Sequence, residues 1–390
     1  MDGTLRNKVA VVGVGESDIG KVPGMTGLGL NAQAAKRALD DSGLALSDID
    51  GVLTAYSFTE PYFMLGTVLC EYLGIKPRYN ASLVVGGATP AVMLKHAAEA
   101  IAAGQCNTVL ICAGENRATG QTRDQAVAAL MAVGHPYFEK PYGPSIPSFY
   151  AMIANRHMKE FGTTEEQLAS VAVTTRYHAS LHPNAHMRKP LTIDEVLSSK
   201  PIADPLKMLD CCLLSDAGGA FIVTSAERAR DLRSKPAYLA GIGEFHTHEH
   251  IMCAPSLTEF GATESSRAAY RMAGLGPQDI DIAQLYDCFS IVPILELEEL
   301  GFCKRGEGGA FYEEGHSRLG GRLPVNTHGG MLSHAHAGAA GGLFGIVEAV
   351  RQLRGDQGPR QAKGAEVALV HNEGGILSSH CTLILTNDRR

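Results

Sequence analysis

The stretch NASLVVGGATPAVMLKHAAEAIAAG, residues 80–104, joins a short strand-like run to a long helical pattern through the pair Gly86-Gly87. It predicts a tight turn from which a helix begins. The first turn of a helix favours negative charge, because its backbone N–H groups have no partner within the helix. The turn is therefore a candidate position for a reacting group. Its residues Val84 and Val85, however, have no nucleophilic or titratable group.

Apolar strand-like runs alternate with amphipathic helical patterns on both sides of this turn, which predicts an α/β fold. Strands are predicted at residues 9–14, 108–114, 367–371 and 381–385, and a helix is predicted at residues 28–42.

Two internal matches indicate that the chain consists of related halves. The segment SGLALSDIDGVL, which contains Asp50, matches AGLGPQDIDIAQL, which contains Asp281. The helical pattern that ends at Gly104 likewise resembles the one that ends at Gly355. Both of these helical patterns follow a turn rich in Gly and Ala, and both precede an apolar strand.

We predict an N-terminal half at residues 1–230 and a C-terminal half at residues 236–390. Their boundary lies in a charged connector near residues 225–236. The N-terminal half includes a loop excursion at about residues 115–205, which is rich in His, Pro, Tyr and polar residues. Such excursions often carry the substrate contacts of an enzyme.

The chain has 390 residues, a net charge of −7 and 45% hydrophobic residues. This composition is typical of a soluble globular protein, and the charge predicts binding neither to nucleic acid nor to an anionic membrane. No apolar run approaches the roughly 20 residues of a membrane span and no targeting segment is visible, so a cytoplasmic location is expected. Nine cysteines without a CxxC pair favour reduced thiols.

Four further segments are distinctive: ADPLKMLDCCLLSDAGGAFIVTS (203–225), YDCFS (286–290), PVNTHGGMLSHAHAGAAGG (324–342) and HNEGGILSSHCTLIL (371–385). Together they resemble the thiolase superfamily, in particular its sterol-carrier-protein thiolase branch. The resemblance implies the thiolase fold, in which two related α/β halves form a five-layered αβαβα sandwich. It also implies a homodimer, and a single site on which the helix starts of both halves converge.

The turn at Val84 departs from the pattern of this family. Matching the turn to the family's CSxG motif puts Val84 at the position of the nucleophilic cysteine, while the position of the second cysteine falls near His371. Acyl-enzyme chemistry is therefore not expected. The thiolase-like steroid side-chain aldolases also lack the nucleophile, and they cleave a β-hydroxyacyl-CoA by a retro-aldol reaction. That reaction needs a base and an oxyanion hole but no covalent bond to the enzyme, so we predict a CoA-thioester lyase acting on a steroid or lipid side chain.

The candidate catalytic residues all lie in the second half. Active-site tyrosines are implicated in these aldolases, and Tyr286 would be the base if a cation or a hydrogen bond lowers its pKa. His336 matches the family's GHP histidine, which supports the oxyanion hole, and the internal repeat pairs it with Val85. His334 would share a face with His336 on an extended segment and is an alternative base. A metal on these two histidines is disfavoured because no third ligand stands at motif spacing, and His371 is the fourth candidate.

Turn residues are expected to hold the thioester and the CoA group. The expected substrate-binding residues are Val84, Gly86, Gly87, Asn326, Gly330, Gly374 and Gly375. Secondary candidates are Asp287, to orient a histidine, and Glu373, as a carboxylate base. The CoA phosphates are expected to meet one of the cations Arg117, Arg123, Arg176, Arg188 and Lys189.

No cofactor is expected apart from CoA as part of the substrate, and no metal. The thiolase-like aldolases work with a small partner that has an OB fold and a zinc ribbon, and the resemblance implies such a partner here. Two alternatives to the lyase remain open. One is a thiolase-type acyltransferase with an unrecognised nucleophile, and the other is a non-catalytic acyl-CoA-binding subunit.

Overall fold

The computed structural model describes residues 5–389, apart from the side chains of Arg123, Leu130 and Ala132. Its strands are β1 Val9–Glu16, β2 Gly51–Ala55, β3 Tyr79–Leu83, β4 Thr108–Asn116, β5 Pro201–Ala203, β6 Leu206–Lys207, β7 Asp216–Ser225, β8 Ala237–His246, β9 Ile282–Gln284, β10 Val367–Gly374 and β11 Ser379–Thr386. Nine of them form one mixed sheet in the order β3-β2-β4-β7-β1-β8-β11-β10-β9, and β5 pairs with β6.

The helices connect these strands. They are α1 Gly27–Ser42, α2 Leu65–Leu73, α3 Thr89–Ala102, α4 Arg123–Ala132, α5 Ile146–Phe161, α6 Glu165–Ser180, α7 Ile193–Leu197, α8 Ala226–Ala229, α9 Ala262–Ala273, α10 Ile291–Glu299, α11 Gly308–Glu313 and α12 Gly341–Arg354. The four predicted strands are confirmed as β1, β4, β10 and β11, and the predicted helix is confirmed as α1. The helices α4 to α7 and the short strands β5 and β6 occupy the excursion between β4 and β7.

The sheet and the helices form five layers. The helices α3 and α12 pack against each other in the centre, with α3 against β2, β4 and β7 and α12 against β9 and β10. On the outer faces, α1 covers β1, β4 and β7, while α9 covers β8 and β11. The central core is built from small and β-branched side chains, which let the two helices lie between the two parts of the sheet. This is the αβαβα arrangement that the resemblance implies.

The internal repeat has a structural counterpart in two aspartates. Asp50 precedes β2 and accepts hydrogen bonds from the backbone N–H groups of Asn107 and Thr108, at the start of β4. Asp281 precedes β9 and accepts them from residues 366 and 367, at the start of β10. In each half, one carboxylate therefore ties together the beginnings of two neighbouring parallel strands.

The two related parts meet edge to edge. The strands β1 and β8 pair only at Ala10 with Tyr238 and at Val11 with Ala237. The predicted connector contains α8 and leads from β7 to β8. The division at residues 230–236 stays a prediction. Within residues 5–389, no helix is both long enough and apolar enough to cross a lipid bilayer.

Candidate active site

The turn before α3 is tightly built. Gly86 has a φ of +56°, in the left-handed region that favours glycine. The Thr89 hydroxyl accepts a hydrogen bond from the N–H of Val85 at 2.9 Å and donates one to the carbonyl of Gly86 at 2.6 Å. Val84, at the position of the missing nucleophile, projects outward and is 70% exposed. Among the described residues, therefore, nothing encloses this side chain.

This turn lies directly against the turn that follows β10. A Cβ atom on Gly86 would come within 2.6 Å of the backbone nitrogen of Gly375, and one on Gly374 would overlap the carbonyl of Val85. The two glycine turns are thus in backbone contact. Side chains at these positions would separate α3 from the end of β10, so the glycines that we expected to bind substrate also assemble the site.

Tyr286 occupies the space above Gly87. A Cβ atom on Gly87 would overlap the phenol oxygen of Tyr286, so only glycine leaves room for this ring. The side chain is buried, and no group among residues 5–389 forms a hydrogen bond with its hydroxyl. The backbone N–H of Tyr286 donates to Glu296 at 2.9 Å, which fixes the segment against α10. The hydroxyl therefore has its hydrogen-bonding capacity available to a bound molecule.

The start of α12 reaches the same point. A Cβ atom on Gly342 would lie 2.7 Å from the carbonyl oxygen of Gly87, so α3 and α12 converge beside Tyr286. Neither helix has a side-chain cap among the described residues, whereas α1 and α6 are capped by Thr26 and Thr164. Pro90 in the first turn of α3 has no N–H, however, and the N–H of Thr89 already donates to the carbonyl of Gly86, so negative charge is favoured here by the helix dipoles more than by a set of free N–H groups.

The electrostatic surroundings do not make Tyr286 a base. Burial raises the pKa of Tyr286 well above 10, and the nearby Cys288 and Glu373 raise it further. Tyr286 would act as a base only if a cation or a hydrogen bond lowered this pKa, and the shift is in the opposite direction. The phenol is therefore neutral at physiological pH, and it can serve as a hydrogen-bond donor or pass a proton on.

His336 faces the thiol of Cys212. Its Nδ1 atom lies 3.3 Å from Sγ of Cys212. Its backbone pairs with Ser215, whose N–H donates to the carbonyl of His336 at 3.0 Å. Burial, assisted by the charge of Arg117, lowers the pKa of His336 to about 4, so the ring is neutral. A neutral imidazole suits the predicted role of a donor to an oxyanion.

His334 points elsewhere. It ends a π-helical turn, Gly330–His334, and Ala335 is extended, so the segment as a whole is not extended. The expected shared face of His334 and His336 is therefore absent. The ring of His334 is fully buried with Nε2 3.4 Å from Oε1 of Glu16, far in sequence on β1. Burial lowers the pKa of His334 to about 3.

Glu16, His182 and His334 place potential metal-binding atoms within 4.8 Å of one another. The backbone N–H of Asn184 donates to Nδ1 of His182 at 3.0 Å. Neutral His182 must then carry its proton on Nε2, the atom that faces Glu16. Glu16 also pairs with Arg351 at 2.9 Å. Glu16 and His182 therefore fit a buried network of ion pairs and hydrogen bonds better than a metal centre, while neither ring nitrogen of His334 forms a hydrogen bond among the described residues.

His371 uses both ring nitrogens inside the core. Nδ1 lies 2.8 Å from the Thr382 hydroxyl and Nε2 lies 3.1 Å from Nδ1 of His380. Burial lowers the pKa of His371 well below 6.5. The sequence placed this residue near the second cysteine position, but its ring joins β10 to β11 instead of meeting Tyr286.

Two expected substrate-binding residues support the YDCFS segment instead. The side chain of Asn326 accepts a hydrogen bond from the N–H of Leu285 at 2.8 Å. A Cβ atom on Gly330 would overlap the carboxylate of Asp287, which accepts a hydrogen bond from the N–H of Met331 at 2.7 Å. Burial raises the pKa of Asp287 to about 8. Asp287 therefore anchors the turn that precedes His336, and among residues 5–389 it forms no hydrogen bond or ion pair with a histidine.

Glu373 is only a secondary candidate from the sequence, but in the structure it is surrounded by residues near the site. Its Oε1 atom accepts a hydrogen bond from the Tyr150 hydroxyl at 2.7 Å and one from the Cys288 thiol at 3.4 Å. Its Oε2 atom accepts one from the N–H of Leu377 at 3.1 Å. Burial raises the pKa of Glu373 to about 7, even though these donors lower it.

The sequence did not single out Tyr150, and it did not indicate that Cys212 would meet His336. Tyr150 lies in the excursion, 223 residues from its partner Glu373, and Cys212 lies 124 residues from His336. No local motif links such distant positions. Only the fold brings them to one site.

Two of the five cations expected to meet CoA phosphates are buried against other groups. Arg117 is buried and stacks over the ring of Phe58, and Arg176 is buried and donates to Ser333. The side chain of Arg123 lies outside the described residues. Arg188 and Lys189 stay at the surface, which leaves this pair as the accessible candidates for phosphate contacts.

An apolar cavity of about 690 Å³ lies beside the excursion. Phe149, the residue before Tyr150, forms part of its wall. Its other lining residues come mainly from the loop before α5 and from the loop around residues 251–257, and most are apolar: Phe138, Tyr142, Pro144, Met152, Ile251, Met252 and Leu257. Its size is that of a pocket for a small organic ligand.

Known proteins are similar to this chain in sequence and in fold. A family model described as "Thiolase C-terminal domain-like" matches residues 243–387. The acetyl-CoA acetyltransferase of Methanothermobacter thermautotrophicus is 34% identical over 94% of this chain and 96% of that protein. The 17-hydroxy-3-oxo-4-pregnene-20-carboxyl-CoA lyase of Mycobacterium tuberculosis is 35% identical over 96% of this chain and 98% of that protein.

A solved structure described as "Ltp2-ChsH2(DUF35) aldolase" superposes with a TM-score of 0.86 at 34% identity, and the match covers 99% of each chain. These relatives are enzymes of two kinds, lyases and acetyltransferases, and they cover nearly the whole chain. The protein therefore belongs to the thiolase superfamily, in its branch of sterol-carrier-protein thiolase-like enzymes.

Proposed function

We propose that this protein is a CoA-thioester lyase that cleaves a β-hydroxyacyl-CoA by a retro-aldol reaction, without a covalent acyl-enzyme. The observation that carries the proposal is the hydroxyl of Tyr286 above Gly87, which has no hydrogen-bond partner among residues 5–389. It lies beside the turn where Val84 stands in place of a nucleophile, so the site retains a group for proton chemistry but none for acyl transfer at that position.

In this reaction the β-hydroxyl loses its proton, its oxygen becomes a carbonyl, and the Cα–Cβ bond breaks. The electron pair of that bond passes into the enolate of the CoA thioester, which then takes a proton at Cα. Tyr286 would contact the β-hydroxyl, and the uncapped starts of α3 and α12, with neutral His336, would stabilise the enolate oxygen.

The relatives support a lyase without excluding acyl transfer. The Mycobacterium tuberculosis lyase and the aldolase structure match the chain over 96% and 99% of its length, but an acetyltransferase matches almost equally well. Because the relatives include both types of enzyme, the proposal of a lyase depends on the residues of the site. The apolar cavity lined by Phe149 and by the loop at residues 251–257 would accommodate a bulky apolar acyl group, such as a steroid or lipid side chain.

The proposal includes a homodimer located in the cytoplasm, with CoA as part of the substrate and no further cofactor. It also includes a small partner with an OB fold and a zinc ribbon. The aldolase structure is described as a pair of components, Ltp2 and ChsH2(DUF35), which supports a heteromeric assembly.

The decisive experiment supplies the purified chain with a steroidal β-hydroxyacyl-CoA, alone and with a co-expressed candidate partner. The lyase releases a ketone or an aldehyde and a shortened acyl-CoA in equal amounts, and consumes no free CoA. A requirement for free CoA would contradict the proposal. Substrate binding without any product, in both preparations, would instead favour a non-catalytic acyl-CoA-binding subunit.

One observation favours acyl transfer as a second candidate. Cys212 and His336 form a thiol–imidazole pair, which is the arrangement of an activated nucleophile. Against it, burial raises the pKa of Cys212 to about 12. Intact mass spectrometry after incubation with an acyl-CoA separates the two functions. An acyl adduct that disappears in Cys212→Ser and persists in Cys253→Ser would establish acyl transfer, because Cys253 is an exposed thiol elsewhere.

A further inference from the structure

Both walls of the apolar cavity are fastened to the turn that follows β10. In the first wall, at the start of α5, Phe149 lines the cavity and the next residue, Tyr150, donates a hydrogen bond to the carbonyl of Gly375 at 3.3 Å. The second wall is the loop at residues 251–257. Shortly before this loop, Nε2 of His248 lies 3.2 Å from the carbonyl oxygen of Ile376. Three residues of chain span at most about 10 Å, so the second wall begins within about 10 Å of His248.

The same turn after β10 leads to the reacting groups. A Cβ atom on Gly86 would come within 2.6 Å of the backbone nitrogen of Gly375, and the next residue, Gly87, faces the phenol of Tyr286. In the proposed reaction Tyr286 contacts the β-hydroxyl of the substrate, so the carbon that bears this hydroxyl lies near these glycines. A large group on that carbon is therefore within reach of the cavity.

The polar side chains of the cavity lining already have partners. Nε of Arg156 donates to Oε2 of Glu160 at 2.7 Å. The hydroxyl of Ser256 accepts hydrogen bonds from the backbone N–H groups of residues 258 and 259, at 3.1 and 3.2 Å. Both carboxylate oxygens of Glu139 accept backbone hydrogen bonds as well. Because a buried polar group without a partner is costly, a lining whose polar groups are satisfied suits an apolar occupant.

Glu139 ties the two walls together. It is buried, its Oε2 atom accepts a hydrogen bond from the N–H of His135 at 2.7 Å, and its Oε1 atom accepts one from the N–H of Met252 at 2.9 Å. The rings of His135 and His250 also meet across this junction, edge to face, with centroids 4.9 Å apart. One carboxylate thus fixes the loop before α5 relative to the loop at residues 251–257, and so sets the width of the cavity.

We propose that this cavity binds the group that the substrate carries on its β-carbon, and that Glu139 positions Met252 and the loop before α5 so that the cavity selects large apolar groups. This inference rests on the proposed lyase function. It divides the substrate in two at the bond that breaks. The part in the cavity leaves as the ketone or the aldehyde, and the thioester part stays at the starts of α3 and α12.

The size of the cavity predicts a strong preference. A cavity of about 690 Å³ is large enough for a drug-sized apolar group. Each CH₂ group that is buried on binding contributes about fourfold to affinity, so several such groups together contribute at least about 10²-fold. A methyl group on the β-carbon cannot reach the walls and gains none of this.

The test compares two substrates that differ only in the group on the β-carbon. One is a β-hydroxyacyl-CoA whose β-carbon belongs to a steroid ring, and the other is 3-hydroxybutyryl-CoA, which carries a methyl group there. Selectivity is the ratio of the two values of kcat/KM, measured with and without the co-expressed partner. For the wild type it should favour the steroidal substrate by at least about 10²-fold.

Variants that fill the cavity should reduce this selectivity. Met252 and Met152 line the cavity from opposite walls and are 52% and 50% exposed, so a larger side chain at either position can be accommodated without disturbing the core. Met252→Trp and Met152→Trp should each lower the selectivity at least about tenfold, mainly through a higher KM for the steroidal substrate. Met208→Trp is the matched control, since Met208 is also 52% exposed but does not line the cavity.

A separate variant tests the tie between the walls. Glu139→Gln keeps the size of the side chain but leaves one oxygen to accept the two backbone hydrogen bonds, so one wall is released. It should lower the selectivity at least about fivefold. Asp50→Asn weakens a comparable pair of backbone ties, at the start of β2, and should keep the wild-type selectivity. Equal selectivity in Glu139→Gln and Asp50→Asn would refute the positioning role of Glu139.

Binding measurements separate this inference from the lyase function. Calorimetry uses the same two thioesters without the β-hydroxyl, which cannot be cleaved. If the wild type cleaves neither substrate, but binds the steroidal thioester more tightly in a manner that Met252→Trp and Met152→Trp abolish, the lyase is refuted and the cavity assignment holds. Cleavage with wild-type selectivity in both tryptophan variants would refute the cavity assignment and leave the lyase standing. Equal binding of the two thioesters without cleavage would overturn both.

Discussion

The phenol of Tyr286 occupies the space that a side chain on Gly87 would need. The glycine after the turn is thus half of a complementary pair, because its missing Cβ atom is what admits the aromatic ring beside the start of α3. The exposed Val84 and the phenol above Gly87 thus belong to one turn.

Gly87→Ala should therefore abolish activity by displacing Tyr286. We expect a fall in kcat of at least about 10²-fold and a loss of stability of about 1–3 kcal/mol from overpacking. The control is Gly104→Ala near the other end of the same helix, where a Cβ atom meets open space. Its left-handed φ of +71° predicts a cost of about 1 kcal/mol with full activity. Kinetics and urea unfolding check both variants, and an active Gly87→Ala would show that the ring can move without consequence.

Tyr286→Phe should remove the hydroxyl while keeping the packing. Turnover should fall at least about 10²-fold with little change in KM, because the missing group acts on the reacting proton. Burial holds the pKa of Tyr286 well above 10, so the wild-type pH profile should show no phenol ionisation below pH 9. Tyr270→Phe, which loses only a hydrogen bond to the carbonyl of Leu300, serves as the control. Equal rates for the two variants would remove Tyr286 from the mechanism.

His336→Ala should also lower turnover by at least about 10²-fold, through loss of a neutral donor to the enolate oxygen. If the reaction is a lyase reaction, Cys212→Ser should retain most of the activity, because the serine hydroxyl can still hydrogen-bond to Nδ1 of His336. An acyl transferase would lose its activity in Cys212→Ser. Steady-state cleavage rates of the two variants, compared with an exposed control, His316→Ala, decide between these outcomes.

The sequence predicted the architecture well because the residues that determine it form local patterns. Gly104 and Gly355 follow matching central helices, and Asp50 and Asp281 precede matching strands, so each is visible as a repeated offset. Burial of apolar faces at helical and strand spacing sets these patterns in any one segment, without reference to distant residues.

The site was less predictable because its contacts are long-range. Tyr286 and His336 stand in recognisable motifs, but no motif shows which residues of the other segments they meet. Glu373 looked secondary until the fold brought Tyr150 to it. The π-helical turn at Gly330–His334 turned His334 away from His336, an effect that no periodicity in so short a segment predicts.

The buried histidines predict a protein that loses stability in acid. Burial lowers the pKa of His334 to about 3 and that of His182 to about 4, whereas an unfolded histidine titrates near 6.5. The unfolded chain therefore binds more protons between these values, and the stability of the fold falls as pH drops below about 6.5. Each such histidine contributes on the order of 1.4 kcal/mol per pH unit over that range.

Groups with raised pKa values act in the opposite direction. Burial raises the pKa of Glu373 to about 7 and that of Asp287 to about 8, so their contribution to stability is complete only below the usual carboxyl range near 4 and is lost as the pH rises from there through those values. This loss offsets part of the histidine effect between about pH 5 and 6.5 and continues above it, where the histidines no longer contribute. Urea unfolding at intervals from pH 5 to 8 should show a slope on the acid side that His334→Gln reduces by about one proton. His316→Gln, at an exposed site beside Glu314, should leave the slope unchanged, and an identical slope in the two variants would contradict a neutral, buried His334.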